Sequence, residues 1–100
     1  MMSDPVRAEA RVETKLAARY LIQLCKHFEH RLQVVRAGGE GSIVFPAGTC
    51  RLTAAGDLLV LGAQAQDDAL LAQLEQVVSR HLERFAFRDK PRIAWQRLTA

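Results

Sequence analysis

The chain has 100 residues, 49% of them hydrophobic and 25% charged, with a formal net charge of +3. These numbers predict one globular domain over residues 1–100, long enough to bury a core without metal or disulfide support, a need that arises below roughly 40 residues. The balance excludes a disordered chain, no apolar run approaches the roughly 18 residues of a bilayer span, and MMSDPVRAEARVE lacks the apolar core of a signal peptide.

These exclusions set the expectation of a cytoplasmic protein with no membrane contact. Cys25 and Cys50 then read as reduced, partly buried thiols, because a disulfide framework belongs to secreted chains. The positive excess is concentrated: six basic residues (Arg80, Arg84, Arg88, Lys90, Arg92 and Arg97) against Glu83 and Asp89 give residues 80–97 a net +4. Such a patch is either a solvated edge or an attraction for an anionic ligand, a nucleic acid or an acidic partner.

In chain order, residues 6–13 alternate strictly. Val6, Ala8, Ala10 and Val12 face one way and Arg7, Glu9, Arg11 and Glu13 the other, the pattern of a half-buried strand with a solvated face. Thr14 offers a helix N-cap. Ala17, Tyr20, Leu21, Leu24, His27 and Phe28 then recur at helical spacing, predicting an amphipathic helix to about His30. Leu32 to Arg36 reads as a strand, followed by a flexible hairpin loop at 37–41 and a second strand from Ser42 to Phe45. Thr49 to Thr53 alternates again. Ala55-Gly56-Asp57 turns into Leu58 to Leu61, the most apolar strand and therefore a central one. Asp67 or Asp68 starts a second helix, its carboxylate favoured at the positive end, with Leu70, Leu74, Val77, Val78, His81 and Phe85 as the apolar stripe. Pro91 blocks continuation, and Arg92 to Leu98 reads as a last strand with Ile93 and Trp95 on one face.

The order β-α-β-β-β-β-α-β, with one-sided helices and a first strand charged on one face, predicts an α+β two-layer sandwich. Both helices cover one face of a mostly antiparallel sheet. The arrangement is ferredoxin-like with an extra hairpin, or TATA-binding-protein-like. The other sheet face is left to solvent or to a second subunit.

Several segments together carry a family resemblance. They are Ala18 to Leu21, Leu24 to Phe28, Gly48 to Leu52, Leu58 to Leu61, His81 to Arg88, and Trp95. The chain resembles a bacterial family of small uncharacterised proteins, domain of unknown function twenty-two eighteen. The resemblance implies a stand-alone bacterial α+β domain with no settled activity. It also implies an association with siderophore-interacting flavin reductases, and so with iron handling.

The candidate chemistry centres on histidine. His27 and His81 occupy positions where the helical patterns expect apolar residues, so each is expected to be buried and hydrogen-bonded to a backbone carbonyl, Tyr20 or Glu83. Burial keeps such a ring neutral, which suits a proton acceptor. Cys25, His27 and His30 invite a metal reading that helix geometry weakens. Residues two apart point about 200° apart, so Cys25 and His27 cannot share one ion; His27 and His30 could, with His81 as a third ligand if the helices pack side by side, but zinc would still need more and the paired-cysteine spacings are missing. No metal and no cofactor is therefore expected. Arg84, three residues past His81, could fork onto a carboxylate or phosphate, or pair with Asp89. Trp95 is a core anchor or, at a sheet edge, a stacking platform. Gly38 to Gly41 lacks the helix and lysine of a phosphate loop, and Ser42 and Ser79 lie in no nucleophile elbow. The first strand's alternation of Arg with Glu argues against nucleic acid.

The sequence thus points to a non-enzymatic binding or accessory module. A small anionic ligand or an iron-related partner would dock at His27, His81, Arg84 and Trp95. Two alternatives stand beside this: an interaction module that dimerises through its sheet, and an enzyme using His27 or His81 as acid or base.

Overall fold

A computed structural model describes residues 4–98. The elements follow the predicted order: β1 (Val6–Glu13), α1 (Ala17–Phe28), β2 (Gln33–Ala37), β3 (Glu40–Phe45), β4 (Gly48–Ala55), β5 (Leu58–Ala65), α2 (Asp68–Phe85) and β6 (Trp95–Leu98). The six strands form one sheet in the order β2-β3-β4-β5-β1-β6. Every neighbouring pair is antiparallel.

Each helix joins two parallel strands with one strand left between them. α1 leads, by way of the β2–β3 hairpin, from β1 to β4 across β5, and α2 leads from β5 to β6 across β1. These are the two split β-α-β units of a ferredoxin-like fold, and the inserted hairpin widens the sheet at β4. β5 is interior, as its apolar run predicts.

The alternation in β1 holds residue by residue: Ala8, Ala10 and Val12 are buried, while Arg7, Arg11 and Glu13 are exposed. Register carries that face across the sheet. Ala10 is opposite Leu61, Leu61 opposite Leu52, and Ala8 opposite Ala63, itself opposite Cys50 and then Ile43. These residues and the buried faces of both helices form a single core, so the helices share one side of the sheet.

Several boundaries move. The loop expected at 37–41 contracts to Gly38-Gly39, because Ala37 pairs with Glu40 and Gly38 takes the left-handed conformation of a two-residue hairpin (φ 60°). β6 is shorter than residues 92–98. It pairs only along Arg7–Ala10, and residues 90–94 run outside the ladder, where Pro91 has no N–H to donate. α1 starts at Ala17, because the Thr14 hydroxyl accepts the Leu16 N–H (3.1 Å) in a turn ahead of the helix. Asp67 is the cap of α2, accepting the Leu70 N–H at 2.8 Å.

Both helical stripes are rotated from the predicted ones. In α1 the fully buried position falls to Cys25, and His27 is exposed. In α2 the buried line is Leu71, Leu74, Val78 and Leu82, while Val77, His81 and Phe85 lie half-buried on a flank. One residue is about 100° of helix, so a small error in the stripe's centre moves His81 from the core to its border. Both cysteines are free and fully buried. Among the described residues no helix is long and apolar enough to cross a membrane.

Candidate functional site

The two helices meet along a seam of rings. Phe28 closes the C-terminal turn of α1 and packs edge-on against the core ring of Phe45, with centroids 4.8 Å apart. Phe28 also meets the His81 ring at 4.8 Å. The rings of His27 and His81 lie 4.9 Å apart, tilted by 51°, and Phe85 contacts His27 at 5.5 Å. His81 and Phe85 sit one turn apart on α2 and clasp the end of α1 between them.

His81 Nδ1 lies 2.7 Å from the carbonyl oxygen of Val77. A carbonyl can only accept, so Nδ1 carries the hydrogen and Nε2 is left as the basic nitrogen of the neutral ring. The partner is the backbone carbonyl foreseen as one option. Tyr20 instead donates to Asp89 at 3.3 Å. His27 has its proton affinity lowered from the ordinary value of 6.5, first by partial desolvation and then by the charges of His81, Arg84 and Arg31. The two permanent charges among these, Arg84 and Arg31, are both positive.

Of the four residues singled out in the sequence, the fold brings His27 and His81 into contact, with Arg84 near enough to act on His27. Trp95 stands apart. It lies on β6, opposite Ala10, and its indole N–H donates to Ser79 Oγ at 2.7 Å. Ser79 and His81 are two residues apart and so on opposite flanks of α2. The space between helices and sheet is filled by the core, so the exposed His27 opens this cluster outward rather than into an interior cavity. Arg84 forms no ion pair among the described residues. Asp89, its anticipated partner, accepts hydrogen bonds from Thr14 (2.5 Å) and Tyr20.

The helical patterns single out His27 and His81 together, but not the Phe28 and Phe85 rings that complete the seam. Phe28 and Phe85 were legible as apolar stripe residues, but the pairing of α1's end with the second half of α2 depends on the crossover geometry. Among the described residues, no group of three or more His, Cys, Asp or Glu side chains is placed to hold a metal.

A family model described as an uncharacterized protein conserved in bacteria (DUF2218) matches residues 9–96. The chain belongs to this family. It is also similar to PA4090 from Pseudomonas aeruginosa, solved by NMR, at 36% identity and a TM-score of 0.78 over 91% of this chain and 95% of that one. No curated protein matches it. The family description states no activity, so the functional reading rests on the geometry.

Proposed function

We propose that this bacterial domain is a non-enzymatic binding module that takes a small anionic ligand at His27, His81 and Arg84. The observation that carries the reading is the contact of the His27 and His81 rings, 4.9 Å apart at the exposed end of the helix seam, with Arg84 near enough to act on His27. Partial desolvation first, and then His81, Arg84 and Arg31, lower the affinity of His27 for a proton. The field of the two arginines opposes a bare metal cation and attracts an anion. Arginine supplies the forked donors that recognise carboxylate or phosphate, and His81 Nε2 becomes a further donor once the ring is protonated. A link to iron handling would therefore run through an anionic chelate rather than through iron held by the histidines.

The test is an NMR titration of the histidine ring signals with citrate at about pH 7.5 and about pH 5.5, on either side of the ordinary histidine value. Saturable shifts of both rings, tighter at the lower pH and weakened by Arg84→Gln, are expected. Rings that titrate with protons but ignore citrate at both pH values would overturn the reading.

A second reading, assembly through the sheet, draws support from β2. This edge strand leaves Val35 61% exposed, and the free backbone groups of an edge strand are a template for pairing. Sedimentation across a concentration series tests it: a dimer that dissociates on Val35→Lys supports it, and a monomer throughout refutes it.

A further inference from the structure

The chain has six glycines, and five have a reason within the fold. Gly38 and Gly56 take left-handed turn conformations at φ 60° and 58°. A Cβ at Gly39 would come to 3.0 Å from the Ala54 carbonyl oxygen, at Gly41 to 2.8 Å from Cys25 Sγ, and at Gly48 to 2.2 Å from the Gln64 carbonyl oxygen. Gly62 has neither constraint. A Cβ there would meet its nearest atom, the carbonyl oxygen of Arg51, at 3.9 Å, an ordinary contact. Yet Gly62 lies in β5, an interior strand, where glycine weakens the sheet through lost packing and extra chain entropy. Glycine in that setting marks a bulge, a bend or a place where a ligand approaches the backbone closely, and the register runs unbroken through Gly62 on both sides, which leaves the close approach.

The neighbours of Gly62 indicate what approaches. Gly62 faces the outer side of the sheet, away from the helices, opposite Arg51 on β4 and Glu9 on β1. The next row places Arg7, Gln64 and Thr49 side by side. Arg7, Thr49, Arg51, Gln64 and Leu98 line a cleft of about 350 Å³ over Gly62, a size in the range of small-molecule sites. Among the described residues neither Arg7 nor Arg51 forms an ion pair. Glu9, the acidic neighbour, lies 3.6 Å from Arg11 and lines the adjoining hollow. No strand residue on this face is aromatic, so the stacking platform of a single-stranded nucleic-acid site is missing.

We propose that this cleft binds a small oxyanion, either a phosphate monoester or a polycarboxylate. The guanidinium groups of Arg7 and Arg51 form the charged clamp, the Thr49 hydroxyl and the Gln64 amide are further donors, and Gly62 is the floor. The site lies on the opposite side of the sheet from His27 and His81 and is independent of the reading proposed for them.

Backbone amide NMR titration of the full chain with inorganic phosphate, and separately with citrate, tests it. Saturable shifts centred on Thr49, Gly62 and Gln64 are expected. Response to phosphate alone assigns a phosphate ligand, response to citrate alone a polycarboxylate, and response to both recognition by charge. Gly62→Val fills the cleft with a residue suited to a strand. It should leave the thermal midpoint unchanged or raise it, while weakening binding by about tenfold or more, the scale of a lost charge-assisted contact. Arg51→Gln should weaken binding to a similar degree and carries the test if Gly62→Val does not fold. The proposal is overturned if neither probe gives saturable shifts, if shifts scatter over all surface arginines, if they appear only at the histidine seam, or if both variants bind like the parent.

Discussion

The ring of His27 rests on the ring of His81 with centroids 4.9 Å apart, although the two residues are 54 positions apart in the sequence. Protonation of His27 is opposed first by desolvation, and the charges of His81, Arg84 and Arg31 add to it. His27 should therefore titrate below 6.5 in a ring-proton NMR experiment, and Arg84→Gln should move it back upward. Unfolding frees the ring, so the unfolded chain takes up the proton first as pH falls. Stability from this group is thus complete above the unfolded value and declines as pH drops through it towards the lowered folded value. A His27 that titrates at or above 6.5, or does not respond to Arg84→Gln, would contradict this account.

Asp89 ties the far end of α2 to the start of α1. It accepts from the buried hydroxyl of Thr14 and from Tyr20, and Thr14 is the single buried polar side chain among the described residues. Asp89→Ala leaves both hydroxyls without this acceptor and should cost about 1–3 kcal/mol. Asp89→Asn keeps a carbonyl acceptor and should recover part of that loss. Urea midpoints at constant slope are the measurement, and equal midpoints for parent and Asp89→Ala would reject the clasp.

Trp95 is the sole tryptophan and anchors the edge strand β6 through Ser79. Ser79→Ala should cost about 1 kcal/mol, the usual worth of one such hydrogen bond, and should change the native tryptophan emission. An unchanged spectrum with full stability would place the indole N–H elsewhere.

Cys50 is fully buried, and burial, with Cys25 as a lesser influence, pushes its thiol up to about 12. Cys25 is raised as well, by burial against a smaller opposing pull from Arg36. The thiolate is the reactive form, so an aromatic disulfide reagent at neutral pH should label neither cysteine in the native protein and both in denaturant. Rapid native labelling of either one would show an opening of the core.

Much of the architecture was legible because it is local. Strict alternation in β1, the aspartate cap of α2 and the apolar run of β5 are consequences of backbone periodicity and end effects that act within a few residues. The candidate site was legible in part. The histidine positions stood out, but their depth was overestimated. A stripe drawn on a helical wheel does not say which of its edges a neighbouring helix will cover, and Cys25, Leu71 and Leu82 took the places assigned to His27 and its counterparts.

Length, composition and periodicity were enough for the element order and the two-layer architecture, since each rests on the need to bury one face of every helix and strand. Three relationships come only from the folded chain. The antiparallel register sets Gly62 between Glu9 and Arg51. The crossover of α2 returns Asp89 to Thr14, 75 residues away in sequence. The packing of α1 against α2 joins His27 to His81 while sending Trp95 to the other flank. Each depends on where distant segments meet, and side-chain patterning within a segment holds no information about the partner it will face.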